Sequence, residues 1–410
     1  MADILTEAQA AEQVHRSLGS AGLEGKRVLA LIPDRTRTAP IPFMFKEVCS
    51  ALLGRVKALD FMVALGTHAP MSEPEILQHV GITQEQKERA FRDVRLLNHI
   101  YNDPMQLVSI GCLSEDEVER VSNGLFRMTV NLTINKVVFD YDHILIIGPV
   151  FPHEVVGYSG GYKYLFPGIS GVEIIDFFHW LGAVITNPQI IGLKRTPVRD
   201  VVDMAGSRVP VDKSCFAMVV DHEGLKGLFY GTPEEAWSKA ADLSSQTHVK
   251  YVSKPYNLIL SCAPSMYDDI WVAGKCMYKL EPVLADGGTL IIYAPHITEV
   301  SHTHGRILDE IGYHVRDYFV CQWDRFKHYP WGVLAHSTHV KGIGTYVDGI
   351  EKPRANVVLA TRIPEERCQR INLGYLDYRE IDQKQYLNRE SEGVLCVQKA
   401  GEVLYRLEEK

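Results

Sequence analysis

The sequence predicts an α/β protein built of two α/β domains. A Rossmann-like N-terminal domain spans residues 1–245, a smaller C-terminal domain spans 246–410, and an active-site cleft lies between them. Three observations predict this. The chain has 410 residues, roughly two to three times an ordinary ~100–150-residue domain, so more than one core is expected. Short apolar runs alternate with helical patterns through polar loops, the rhythm that builds parallel sheets. That rhythm gives way to a polar helical stretch at Pro233 to Ser244 and resumes at Asn257.

Taken in order, the first 25 residues read as an amphipathic helix ending near Gly19 to Gly25. The strand RVLALI (Arg27 to Ile32) then delivers Pro33, Asp34, Arg35, Thr36 and Arg37 at its carboxyl end. A helix through Phe43 to Leu53 leads to a strand over Asp60 to Leu65, which delivers Gly66, Thr67 and His68. Ser72 and Glu75 have capping-box spacing for a helix through Gln78. Short strands are expected at Val94 to Asn98, feeding His99, and at Val108 to Gly111. YDHILIIG (Tyr141 to Gly148) is a strongly apolar strand opening on Pro149 to Gly171. Pro233 to Ser244 reads as a helix polar enough to link domains. The second domain then offers a strand at Leu258 to Cys262, a helix around Ile270 to Leu284, and strands at Thr289 to Ala294, Asn356 to Leu359 and Gly393 to Gln398.

Composition narrows the function classes. Hydrophobic residues at 46% and charged residues at 23% rule out wholesale disorder. With 43 Lys plus Arg against 51 Asp plus Glu, the net charge of -8 argues against nucleic acid or an anionic membrane as partner. No apolar run reaches the ~18–20 residues of a membrane span. The opening MADILTEAQAAEQVH has no basic segment before an apolar one, so no secretory signal is expected. The closest of eight cysteines are 14 residues apart, which predicts free thiols in a reducing cytoplasm rather than a disulfide or zinc framework.

The most informative loop is FPHEVVGYSGGYKYLFPGISG, Phe151 to Gly171. Gly157, Gly160 and Gly161 allow backbone N–H groups to converge and Ser159 adds a hydroxyl, a combination that can cradle a phosphate or simply form a tight turn. Lys163 lies close enough to serve the same ligand as a cation or a nucleophile. Neither a Walker loop nor GxGxxG is present. His179, in DFFHW, is either a packed helical histidine or a metal ligand. Arg37 can clamp a carboxylate and Asp34 can accept hydrogen bonds, against the plainer reading of a surface ion pair. His68 is a candidate proton carrier; Asn98 and His99 are weaker candidates.

Together these segments resemble the lactate racemase family, whose members use a nickel-pincer nucleotide. The residues that carry the resemblance are DRTR (Asp34 to Arg37), ALGTHAPMSEPE (Ala64 to Glu75), NHIYNDP (Asn98 to Pro104), PHEVVGYSGGYKYLFPGISG (Pro152 to Gly171), DFFHW (Asp176 to Trp180) and a second-domain helix with Lys275. They stand in family order across most of the chain. The resemblance implies that Lys163 joins the cofactor, a pyridinium-3-thioamide-5-thiocarboxylic acid mononucleotide, and that His179 binds its nickel. Ser159, Gly160 and Gly161 would line the cofactor phosphate, and Asp34 with Thr36 would sit beside the cofactor. His68 and His153 would be opposed acid–base groups, Arg37 the carboxylate clamp, and Lys275 a lysine reaching the site from the second domain.

The chemistry so implied is racemisation or 2-epimerisation of a small-molecule 2-hydroxy acid by proton-coupled hydride transfer, after maturation by cofactor-biosynthesis proteins. One departure bears on substrate. Where lactate-specific members carry Tyr-Gln, this chain has Trp271 and Val272, which removes an amide and adds bulk. A substrate larger than lactate is therefore expected, with Arg35 and His99 as further candidates for binding it. The competing readings are lactate racemase proper, a non-catalytic nickel-pincer cofactor-binding protein, and a metal hydrolase ligated by His68, His153 and His179.

Overall fold

The computed structural model describes residues 4–408. Contacts divide the chain into two compact units. The first holds the chain through Phe151, then Tyr158–Ile175 and Lys194–Thr247. The second holds Pro152–Gly157, Asp176–Leu193 and the chain from His248 onward. The expected cut at 245/246 lies close to the last crossing, but two short excursions, 152–157 and 176–193, belong by their contacts to the second unit.

In the first unit, β1 (Arg27–Ile32), β2 (Ala58–Val63), β3 (Leu96–Asn98), β4 (His143–Pro149), β5 (Asp212–Val220) and β6 (Leu225–Gly231) form one sheet in the order β6-β5-β4-β1-β2-β3. Neighbours are parallel except β5 and β6. Successive strands leave β1 in one direction and return on its other side from β4, so the order reverses between β1 and β4. Ligands of open α/β sheets gather at the carboxyl ends of strands beside such a reversal. The strands read as continuous apolar runs because both faces are covered, and β1 and β4 are buried almost throughout.

Helix α1 (Glu7–Gly19) starts at a Thr6–Gln9 capping box and buries Ala10, Val14 and Leu18, a stripe at helical spacing. The described part of the expected N-terminal helix is thus shorter than 25 residues, because Gly19 and Ser20 end it; residues 1–3 lie outside the described range. Helix α2 (Ile41–Leu52) follows β1. Helix α3 (Glu73–Val80) has the Ser72–Glu75 capping box and stops at Gly81, whose φ of 70° and closeness to Pro42 leave no room for a Cβ.

Two elements differ from the sequence reading. The stretch 107–113 pairs antiparallel with 130–135 in a separate ribbon. Pro233–His248 is a helix that runs to the last crossing between the units, and because Ala236, Trp237, Ala240 and Ala241 are buried on one side of it, this connection is also packed core.

In the second unit, β7 (Tyr256–Cys262), β8 (Leu284–Ala294), β9 (Asn356–Thr361), β10 (Gly374–Tyr375) and β11 (Val394–Val397) form an all-parallel sheet in the order β10-β9-β8-β7-β11. Two helices carry residues used below: α4 (Val172–Ile185), which contributes its length from Asp176 to this unit, and α5 (Trp331–Lys341). The helix expected over 270–284 is broken into Ile270–Ala273, Lys275–Tyr278 and a turn at Glu281–Val283. All eight cysteines are free thiols. Among the described residues, no helix is long and apolar enough to cross a membrane.

Candidate active site

In the first unit the site is built on the loops that leave β1, β2 and β4. Asp34 opens the turn after β1 and is buried; His68 ends the turn after β2. Because β1 and β2 are parallel neighbours in matched register, their loops emerge side by side, and His68 Nδ1 bonds Asp34 Oδ2. The other Asp34 oxygen accepts from Thr36 N (2.8 Å) and Thr36 Oγ1 (2.6 Å). Burial by itself would raise the Asp34 pKa, but His68, Arg37 and Thr36 reverse that effect and hold it well below the carboxylate range. The carboxylate therefore stays ionised, keeps the imidazole proton on Nδ1, and leaves Nε2 as a base.

The turn bearing Lys163 is tied to the same place. Gly66 N, one of the residues leading to His68, donates to Gly168 O (2.9 Å), and Gly168 N donates to Lys163 O (3.0 Å). The Tyr164 ring lies against Gly148 at the end of β4, where a Cβ would collide with it. Burial raises the Tyr164 pKa, and the phenol also feels the charges of Arg37 and Asp34. Asp34, Thr36, Arg37, His68 and Lys163 are thus gathered by this one unit.

Ser159, Gly160 and Gly161 are in the same loop, and their contacts hold its packing. Ser159 Oγ accepts from Phe151 N (2.9 Å) and donates to Pro149 O (3.1 Å). Gly160 and Gly161 have φ of 89° and 60°. A Cβ would come within 2.7 Å of Val150 Cγ2 at the first and of Arg199 Nη2 at the second. The Gly161 N–H is directed at the Cys215 sulfur, and Gly160 O accepts from Arg199 Nη1 (3.0 Å). Arg199, fully buried, pairs with Asp203 and lies 3.7 Å from the Trp237 ring centroid. These glycines allow close packing around Lys163. Arg199 and Trp237 were absent from the sequence reading, because nothing in TPVRDVVDMAG marks an arginine for burial.

Two expected substrate contacts have partners within the protein. Arg35 is exposed and pairs with Glu75 (2.9 Å) on α3. His99 is buried, with Nε2 on Ser170 O (2.9 Å) and Nδ1 on Asn135 Nδ2 (3.2 Å), so both ring nitrogens are used internally. Burial pushes its pKa down to about 4. Asn98 likewise bonds both backbone groups of Met71.

The remaining candidates belong to the second unit. His153 is buried; its Nδ1 accepts from Val155 N (3.2 Å) and lies 3.2 Å from Glu154 Oε2. The neutral ring thus has a donor for Nδ1, and the protonated ring has an acceptor. His179 sits on α4 in edge contact with Phe178 and faces Gly332, where a Cβ would lie 3.9 Å from Nδ1. Lys275 Nζ is 4.7 Å from the Tyr267 ring centroid. The Trp271 ring contacts His304 (4.5 Å between centroids) and His336 (4.2 Å, stacked), while Val272 N donates to Asp269.

His336 and His304 were missed by the sequence reading; the only signal was histidines in loop and helix segments near the Trp271 helix. Burial first, then His339, His304 and His179, hold the His336 pKa well below its usual value. Asp268, Asp269 and His302 have ligand atoms within 4.8 Å of one another, but Asp269 already caps the Ile270–Ala273 helix through Val272 N and accepts from His302 N with its other oxygen.

The chain is similar to known proteins. Residues 4–190 match the family described as the lactate racemase N-terminal domain. The lactate racemase of Thermoanaerobacterium thermosaccharolyticum is 23% identical over 287 residues, covering 69% of this chain and 62% of that protein. The lactate racemase of Lactiplantibacillus plantarum is 25% identical over 300 residues, covering 69% and 65%. The matched region therefore spans less than two thirds of either relative. Among solved structures, a Thermotoga maritima protein is 32% identical, with a TM-score of 0.91 over 99% of both chains. The lactate racemase apoprotein from T. thermosaccharolyticum has a TM-score of 0.71 at 18% identity, over 97% of this chain and 92% of that one, a likeness of fold.

Proposed function

This chain belongs to the lactate racemase family, and on that premise we propose that it is a racemase or 2-epimerase of a 2-hydroxy acid larger than lactate. The observation that carries the reading is the buried Asp34 carboxylate bonded to His68 beside Arg37, on loops tied to Lys163. It is a base with its tautomer fixed, next to a cation suited to a carboxylate.

The family's nickel-pincer nucleotide fits the donor chemistry: Lys163 offers a primary amine for a covalent amide-type link and His179 an imidazole for nickel. When bound, that group supplies hydride acceptance and return at the substrate's C2. The protein's own work is positional and protonic. Arg37 holds the carboxylate with a planar fork of donors. His68 Nε2 removes the hydroxyl proton, and Asp34 stabilises the imidazolium that results. His153 restores a proton to the oxygen and is left neutral; Glu154 serves its charged form and Val155 N–H its neutral form. The two histidines exchange roles when the opposite enantiomer reacts. Lys275 is assigned to the same substrate environment.

Trp271 with its flanking imidazoles supports a substrate longer than lactate, since an indole packs against a ring or chain. Maturation by cofactor-biosynthesis proteins and a cytoplasmic setting complete the proposal. The test is kcat/KM of cofactor-loaded protein for lactate, malate, phenyllactate and gluconate-like acids, run in deuterated solvent. A larger acid is expected to lead. Lactate leading every larger acid by about tenfold would overturn the size assignment. No turnover of any acid, with the adduct present on Lys163, would overturn the enzymatic reading.

A further inference from the structure

A cavity of about 200 Å³ lies within the second unit, at the carboxyl ends of α4 and α5. It is lined by Thr186, Asn187, Glu281, Arg316, Thr338 and His339, among others, none of which the proposed chemistry uses. Asn187 is buried, and its amide orientation is fixed: Nδ2 donates to Tyr278 O (3.0 Å) and to Glu281 Oε2 (2.7 Å). Turning the amide around would set an oxygen against two acceptors, so Oδ1 must be the atom without a protein partner. His339 is equally buried, and its Nε2 also has no protein partner. Glu281 is buried too; Oε1 accepts from Ile343 N (2.7 Å) and Oε2 from Asn187, which leaves further lone pairs on both oxygens.

We propose that this cavity is a binding site for a divalent cation of the zinc, cobalt or nickel kind, ligated by Asn187 Oδ1, Glu281 and His339. One carboxylate, one amide oxygen and one imidazole make a mixed O/N donor set suited to those metals. Burial pushes the His339 pKa down to about 3, so the ring is neutral and keeps a lone pair at physiological pH. The helix ends add to the attraction, because the carboxyl terminus of a helix carries partial negative charge. The positive charge of Arg316 is already engaged, by Val184 O (2.9 Å) and by Asp317 (2.7 Å).

Local backbone is held in a costly shape here. Thr186, β-branched, has φ of 85°, a conformation that persists only where surroundings impose it, and such positions cluster at ligand sites. The site does not depend on the proposed catalytic activity.

The experiment uses full-length, chelator-stripped His179→Ala protein, which removes the imidazole assigned to nickel. Co²⁺ alone is titrated by visible absorption and equilibrium dialysis, with Tm measured alongside. One Co²⁺ per chain and a raised Tm are expected; His339→Gln and Glu281→Gln should each weaken binding at least tenfold and remove the Tm rise. X-ray absorption of the Co²⁺-bound His179→Ala protein provides a readout that needs no second substitution, and should show one imidazole. No stoichiometric uptake would mean that water alone meets these acceptors and would overturn the proposal. So would an oxygen-only shell, or uptake unaffected by His339→Gln, which would place the metal elsewhere.

Discussion

Replacing Asp34 by Asn probes the site without changing its size. In the native protein Thr36 N and Thr36 Oγ1 both donate to one Asp34 oxygen, and His68 Nδ1 meets the other. In Asp34→Asn the Thr36 N–H, which can only donate, selects the amide oxygen, so the NH₂ group faces His68. It then donates to Nδ1, drives the ring proton onto Nε2 and removes the base. Rotating the amide to recover the working tautomer breaks the Thr36 N–H hydrogen bond and leaves that donor facing NH₂, each at about 1–1.5 kcal/mol, while the Thr36 hydroxyl turns from donor to acceptor. A total of about 2–3 kcal/mol corresponds to a loss of about 30- to 150-fold in kcat. Racemisation by cofactor-loaded protein measures the rate, and ¹⁵N NMR of the His68 ring reads the tautomer directly. A variant within about threefold of the parent, or one that keeps the Nδ1–H tautomer, refutes the argument.

Three further outcomes are expected. Gly161→Ala places a Cβ 2.7 Å from Arg199 Nη2 at a φ of 60°, and chemical denaturation should show about 2–4 kcal/mol of lost stability; an unchanged denaturation midpoint would remove the packing role given to this glycine. His99, with its pKa lowered to about 4, binds fewer protons folded than unfolded between about pH 6.5 and 4. Stability should therefore fall with acidification across that window, by up to about 3 kcal/mol, and His99→Gln should show a shallower fall; identical pH profiles would contradict its burial as a neutral ring. Lys163→Ala should keep the fold but lack the several-hundred-dalton adduct in intact mass, and His179→Ala should keep the adduct and lose nickel; an adduct surviving Lys163→Ala would move the attachment point.

What could be read from the sequence was local. RVLALI and the apolar run before Gly66 were legible as strands because continuous burial writes continuous hydrophobicity, and with them came Asp34 and His68 at strand ends. Their bond was not legible. It depends on β1 and β2 being neighbours in register, and the resemblance set Asp34 beside a cofactor rather than on a histidine. The glycines before Lys163 were read as a phosphate cradle because close approach to a ligand and close approach to Val150 and Arg199 make the same demand for a missing Cβ. His99 looked available because it follows a strand; only the tertiary fold brings Ser170 and Asn135 onto its ring. The packed face of helix Pro233–His248 was not legible since Trp237, its most telling buried residue, stands among charged and small neighbours.

The two early excursions into the second unit have a consequence for how the chain is made. His153 and His179 leave the ribosome well before the rest of the unit to which their contacts belong. Trp180 stacks on Trp323, and Asp176 accepts from Gly332 N, so the segment bearing His179 must wait for chain synthesised more than a hundred residues later. At roughly 5–20 residues per second that delay is on the order of ten seconds, with Phe177, Phe178 and Trp180 lacking their final cover. Severing the gene near codon 247 would make the wait permanent. The C-terminal fragment would lack 152–157 and 176–193, which the N-terminal fragment would carry uncovered, and coexpression of the halves, rather than expression of either alone, is what should return soluble protein.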